Sequence, residues 1–243
     1  MGTLINVLTI VLGSAIGVLL GNRLSVKMSR TLTDAMGLVV LVIGALNLGS
    51  LSDGDFVAAV TGSGTLLVVL GSLLIGGVIG SLLKIESRLE QFGAWLQKKT
   101  SRGDLGETEK FISGFVNASL LFTIGPMAVL GALQDGLGQG FDVLALKSTL
   151  DGFTSVAFAS TFGWGVAFSA IPVGIWQGIL TLSSIAAGSV LGPAIIASIT
   201  ATGGILLLGT GLRVLQVKMV NVADLLPSLV VAPLLTLLVQ AVI

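Results

Sequence analysis

In the stretch "KSTLDGFTS", Lys147, Asp151, Thr154 and Ser155 fall at positions i, i+4, i+7 and i+8. On a helix that spacing puts all four on one face, as an ion pair followed by two hydroxyl oxygens. Such a stripe suits a polar pathway or a coupled cation or proton site. If the helix starts near Val143, Asp151 lies ~12 Å and Lys147 ~6 Å along its axis, so the aspartate approaches the middle of a bilayer. A charge at that depth costs about 2.5 to 3.5 kcal/mol even on the lenient insertion scale, which marks it as functional by default. The same spacing also fits a structural ion pair that fixes helix register, because buried pairs are often kept without improving stability.

A second wall is offered by "FVNASLLFTIGPMAVLGALQDG", which carries Asn117, Ser119 and Thr123, then Gly125 and Pro126, and ends in Gln134, Asp135 and Gly136. Proline removes a backbone donor and clashes one turn back, so the helix should break or kink there and free carbonyls near residues 122 to 124. A half-helix starting at Pro126 would aim its positive end into the membrane, while the carbonyls before it could coordinate a cation. A plain packing kink accounts for the same residues. "FSAIPVGIWQG" repeats the phenylalanine, hydroxyl and proline spacing and adds Gln177. Pro227 and Pro233 read as simple kinks, and Asn6 as a buried amide that bonds between helices.

The elements that must hold these residues follow from composition. The chain has 243 residues, 53% of them hydrophobic, a mean hydropathy of +1.05, and twelve basic against twelve acidic side chains. It reads as an all-α polytopic membrane protein forming a single transmembrane domain over residues 1–243. Cysteine and histidine are absent, which removes disulfides, thiolate nucleophiles, Cys/His zinc sites, haem ligation and histidine acid–base chemistry. No metal site or cofactor is expected. The zero net charge and the lack of a basic tail give no reason to expect a nucleic-acid partner. Nor is an enzyme expected: no GxGD or GxSG motif occurs, and adjacent Lys147 and Ser148 point about 100° apart on a helix rather than forming a dyad.

Taking about 20 apolar residues per crossing, eight spans are expected, at 3–21, 33–50, 63–83, 109–134, 143–163, 167–190, 194–212 and 222–242. The first reads as retained, because no positive n-region or cleavage site accompanies it. Arg23, Lys27 and Arg30 follow the first span, six more basic residues from Lys84 to Lys110 follow the third, and Arg213 and Lys218 follow the seventh. Eleven of the twelve basic residues thus lie on one side, which the positive-inside rule makes cytoplasmic, with both termini outside. Only Lys147 and Asp151 are expected well inside a span. Residues 84–100 have Ile85, Leu89, Phe92 and Leu96 at helical spacing and read as an amphipathic helix lying on the cytoplasmic surface.

"GSAIGVLLG" (13–21), "GGVIGSLLK" (76–84) and "SSIAAGSVLG" (183–192) resemble one another, and "MGLVVLVIGALNL" (36–48) lines up with "GGILLLGTGLRVL" (203–215). Spans one to three then correspond to spans six to eight in opposite orientation, flanking a central pair. Inverted three-helix repeats of this kind are an architecture of secondary transporters, although glycine-rich apolar helices also converge on such patterns.

At "TIGPMAVLGALQDGL", "ALKSTLDGFTSVAFASTFGWGVAFSAIPV" and "GTLINVLTIVLGSAIG" the chain resembles the YdfK/YqgA group of bacterial inner-membrane proteins over essentially its full length. The resemblance implies a multi-pass protein of the bacterial cytoplasmic membrane and supplies no substrate. Its matching positions are Gly125, Pro126, Met127, Gln134, Asp135, Gly136, Lys147, Asp151, Gly152 and Ser155. The leading expectation is a transporter or channel-like protein for a small ion or polar solute, with a polar cavity between spans four, five and six. The alternative is a non-transporting scaffold or regulator that self-associates, as a homodimer or higher oligomer, through faces such as Gly13/Gly17/Gly21 and Gly76/Gly80.

Overall fold

A computed structural model describes residues 1–21, 25–100, 105–124, 126–138, 140–187 and 192–242. Among them there are helices and connecting turns and no strand. The order is α1 (Gly2–Gly21), α2 (Val26–Asn47), α3 (Gly54–Val60), α4 (Gly64–Leu83), α5 (Ile85–Thr100), α6 (Leu105–Ile124), α7 (Pro126–Gly136), α8 (Asp142–Phe162), α9 (Gly165–Phe168), α10 (Ala170–Ala187), α11 (Pro193–Val214) and α12 (Ser228–Val242). Short 3-10 turns at Leu48–Ser52 and Val222–Leu225 lead into α3 and α12.

Local chemistry sets several of the ends. The Ser25 hydroxyl accepts from the Met28 amide at the start of α2, and Asp53 accepts from the amides of Asp55 and Phe56 at the start of α3. Pro193 opens α11 at its first turn, where its missing N–H has no partner to lose. The break expected at Gly125–Pro126 separates α6 from α7, which are inclined by 75°, and Pro126 begins the second helix. Gly125 itself lies outside the described residues.

Six helical stretches among the described residues have the length and composition to cross a membrane, or seven if the bent α6–α7 pair is one crossing. The remaining expected span is α8, 21 residues or ~31 Å long, whose Asp142, Lys147 and Asp151 set its composition apart. It runs parallel to α1 along its whole length: Gly2 meets Leu144, Gly13 meets Gly152 and Ser155, Gly17 meets Val156 and Ala159, and Gly21 meets Ser160. The contact is backbone on backbone. A Cβ at Gly13 would stand 2.4 Å from the Gly152 carbonyl oxygen, and one at Gly17 would stand 2.3 Å from that of Val156.

The other close pairs are antiparallel. In α4 and α12, Gly76 rests on Ser228 and Gly80 on Asp224, where a Cβ would stand 1.8 Å from the carbonyl oxygen. The faces Gly13/Gly17/Gly21 and Gly76/Gly80, expected to join copies of the chain, are therefore occupied by the chain's own helices. Between α2 and α11 the seam is reciprocal: Gly37 receives Leu215, Gly211 receives Leu41, Gly44 lies against the Leu208 amide and the Gly204 carbonyl, and Gly204 receives Leu48. Both helices contribute the same series, Gly37-Leu41-Gly44-Leu48 and Gly204-Leu208-Gly211-Leu215, so the surface is complementary to itself as two-fold interfaces are. α11 is the central helix, buried from Ile195 to Val214.

α5 covers the expected amphipathic segment. Leu96 is buried, Ile85 and Leu89 pack on the core, Phe92 stacks on Trp95 and tilts against Phe115, and Lys99 sits over the Trp95 ring. Glu86 and Arg213 are buried as well as Lys147 and Asp151. Both lie at helix ends, Glu86 in the first turn of α5 and Arg213 in the last turn of α11. They are buried because α5 folds back on the C-terminal end of α11, and each neutralises the other.

Candidate ion pathway

Lys147 and Asp151 are 5% and 8% exposed and form the ion pair that their spacing foretold, within one turn of α8. The Asn6 side chain lies beside the Asp151 carboxylate, and its amide donates to Gln177 Oε1 at 3.3 Å. Gly2–Leu144 and Gly13–Gly152 fix the register that brings Asn6 of α1 beside this turn of α8. Gln177 arrives from α10, which crosses α1 in the opposite direction, with Gly174 against Val7. Asn6 and Gln177 are thus joined by a single amide hydrogen bond at the crossing of α1 and α10, and the carboxylate sits beside them.

Several polar atoms in this region are buried and have no partner: Asn6 Oδ1, Gln177 Nε2, Ser14 Oγ, Ser155 Oγ and Asn117 Oδ1. An orphaned polar atom in a dry interior costs about 1 to 3 kcal/mol, so five within one region require an occupant or a function. Ser155 follows Asp151 by one turn and packs against Gly13, next to Ser14. Asn117 is brought level with Ser155 by the antiparallel register of α6 and α8, set by Gly114 against Phe162 at one end and Lys147 over the Phe122 ring at the other.

Further polar groups lie toward both ends of the bundle. Beyond Ser155 the α8 terminus opens into a cavity of about 310 Å³ whose lining includes Gln97, Glu107, Lys110 and Ser160, at the end where the basic residues gather. Beyond Gln177 lie the buried, unpartnered hydroxyls of Thr3 and Thr181. Asp135 closes that end: its carboxylate accepts from the Gly2 amide at 3.0 Å and meets the Met1 amine at 3.0 Å, where a negative charge suits the α1 N-terminus. Gly136 packs beside it on the Thr181 carbonyl and Ser184.

A second cavity, of about 260 Å³, reaches Lys147, Asp151 and Thr154 from the side and is walled mainly by apolar residues of α2 and α6 such as Val39, Ile43 and Leu121. The expected cavity between spans four, five and six thus differs from the observed one. It is lined from α2 and includes no residue of α10. Thr123 departs from the expected site: its hydroxyl donates to the Ser119 carbonyl at 2.7 Å, and it lines a separate apolar cavity of about 410 Å³ with Trp176 and Leu229. Gln134 is half-buried on α7. Pro126 marks the start of α7, and its side chain and Gly125 lie outside the described residues. No cluster of three or more carboxylates suited to a metal ion occurs among the described residues.

The sequence reading missed Thr3, Ser14 and Thr181, and gave Asn6 only an interhelical bond. A signal existed, since Thr3, Asn6, Gly13 and Gly17 recur at helical spacing and mark one face of α1 as both small and polar.

A family model described as "Protein of unknown function (DUF554)" matches residues 1–237. The chain is 32% identical over 241 residues to "Uncharacterized membrane protein YdfK" of Bacillus subtilis (strain 168), covering 99% of this chain and 97% of the relative. It is 31% identical over 233 residues to "Uncharacterized protein YqgA" of Escherichia coli (strain K12), covering 95% and 94%. No solved structure matches. With an all-helical fold, and with family model and relatives alike spanning nearly its whole length, the chain is a multi-pass membrane protein of the DUF554 family.

Proposed function

We propose that this protein is a transporter or channel-like protein for a small ion or polar solute, set in the bacterial cytoplasmic membrane with its basic end in the cytoplasm. The observation that carries the reading is the buried Lys147–Asp151 pair on α8, accompanied by the Asn6–Gln177 amide contact and by buried polar atoms without a partner on α1, α6, α8 and α10. Polar groups with no partner are expensive in a membrane interior and persist where water or a solute passes. Eleven of twelve basic residues on one side support the orientation.

An inverted repeat of spans one to three with spans six to eight, read from the sequence, would supply a way to alternate access. The reciprocal Gly–Leu seam joins α2 to α11, and Asn6 meets Gln177 where α1 crosses α10, so each helix packs against the one that corresponds to it. Rocking of one three-helix half on the other would turn about these contacts and expose the carboxylate to each side in turn.

The test is flux into proteoliposomes loaded with a pH-sensitive dye or with potassium, sodium or chloride tracers, comparing the wild type with Asp151→Asn and Lys147→Met. A gradient-driven flux that falls to the level of empty vesicles in Asp151→Asn is expected. Equal fluxes in all three proteins for every solute tried would refute the pathway.

A further inference from the structure

We infer that the recess between α10 and α12 holds one acyl chain of an anionic phospholipid, drawn from the leaflet at the basic end of the bundle, with its headgroup on Lys84 and Arg88. The inference goes beyond the pathway reading and does not depend on it.

The recess is the apolar cavity of about 410 Å³ that Thr123 lines. Its lining includes the buried Leu120 of α6 and Leu229 of α12, and also the exposed Ile179 of α10 and Val230 of α12, so it opens on the outer surface of the bundle. In a multi-pass protein that surface faces lipid tails. The hydroxyls in its wall make no demand on an occupant, because Ser119 donates to the Phe115 carbonyl and Thr123 to that of Ser119. A polar solute would find little there to replace its water, whereas a methylene chain restores the dispersion contacts that an unfilled apolar wall forfeits. A helix of a second copy, about 10 to 12 Å across, would ride over a recess of this size, and a flexible chain enters it.

Trp176 of α10 adds one polar group. Its side chain lines the recess, and its Nε1–H is buried without an acceptor in the chain. Buried indole N–H groups ordinarily find a partner, and a phospholipid brings ester oxygens as well as tails.

Charge selects the headgroup. The recess reaches the basic end at Ile85 and Leu89 of α5. Lys84 precedes the first and Arg88 the second, so a cation stands beside each. Both are exposed, and neither forms an ion pair among the described residues. The acids nearby are engaged elsewhere: Glu86 and Glu90 on Arg213, and Asp224 on the Glu86 amide. Two basic side chains at the mouth of an apolar recess suit a lipid whose phosphate leaves it with a net negative charge.

The experiment places the full chain in phosphatidylcholine vesicles and reads Trp176 fluorescence in a Trp95→Phe/Trp164→Phe background. Phosphatidylglycerol brominated on its acyl chains is added at rising fraction, against brominated phosphatidylcholine. Quenching by the first should saturate while it is still a minor part of the lipid, and quenching by the second should rise only with its share. Lys84→Gln and Arg88→Gln should each raise the half-saturating fraction about fivefold, the scale of one basic residue at a membrane surface. Mass spectra of the wild type released from detergent micelles should retain phosphatidylglycerol in preference to phosphatidylcholine, which reads the same selectivity without the tryptophan replacements. Equal quenching and equal retention of the two lipids would overturn the inference, as would a half-saturating fraction that Lys84→Gln with Arg88→Gln leaves unchanged. Shielding of Trp176 from both lipids would also overturn it, and a dimer mass would then give the recess to a second copy. Flux enters none of these readings, so the lipid site and the pathway can fail separately.

Discussion

Two ion pairs are buried among the described residues, and they are built in opposite ways. Arg213 and Glu86 join separate helices and are saturated: Arg213 also reaches Glu90 at 3.5 Å and the Val220 carbonyl at 3.5 Å, while Glu86 accepts from the Ala223 amide at 2.8 Å. The Glu86 amide in turn donates to Asp224 at 2.9 Å. Lys147 and Asp151 lie on one helix and join nothing by their own contact. Lys147 bonds to the carboxylate and otherwise faces the Phe122 ring, among orphaned oxygens. A pair with several partners on neighbouring elements holds those elements together, whereas a pair with few partners beyond itself contributes less to joining them. Burial alone does not separate the two roles, and hydrogen-bond saturation does.

The sharpest way to break this contrast is to remove one partner of the saturated pair. Arg213→Met strands Glu86 against the Ala223 amide and should cost about 3 to 5 kcal/mol in detergent unfolding. An unchanged unfolding midpoint would erase the distinction. Replacing both members of the other pair, Lys147→Met with Asp151→Leu, should leave stability unchanged or raise it by about 1 to 4 kcal/mol, because the desolvation penalty disappears with the charges. The same double variant should show no flux, and a marked loss of stability would instead make this pair structural.

Smaller effects sharpen the setting of the pairs. Gly80→Ala puts a methyl into the Asp224 carbonyl, next to the Glu86 network, and should cost about 1 to 3 kcal/mol by overpacking without changing ion selectivity. Removing the helix cap with Asp53→Ala, remote from both pairs, should cost about 1 kcal/mol and leave flux as it was. An effect on transport as large as that of Asp151→Asn would show that the acidic end gates the pathway.

Much of the frame was legible from the sequence. Apolar length located the spans within a few residues, Thr33–Ser52 and Val222–Val242 among them, while α2 itself starts earlier, at Val26, and the last span comprises a 3-10 turn and α12. The i, i+4 spacing of Lys147 and Asp151 fixed their contact, since neighbours on one turn meet whatever the fold does. Proline chemistry placed the α6–α7 break. Thr123 illustrates the limit. It shares a helix with Asn117, and only the rotation of α6 against α8 and α10 decides which of the two faces the polar file.

What the sequence determined by itself is therefore local or one-dimensional: the helices, the break, the charged turn, the sidedness of the basic residues and the repeated glycine spacing. Tertiary structure alone decided that glycine faces expected to join two copies join α1 to α8 and α4 to α12. It also decided that Asn6 and Gln177, 171 positions apart, meet beside Asp151. The physical reason is that a glycine stripe or a buried amide states that something must come close, but many surfaces of the same chain satisfy that demand equally at short range. Only the simultaneous packing of all the helices selects one.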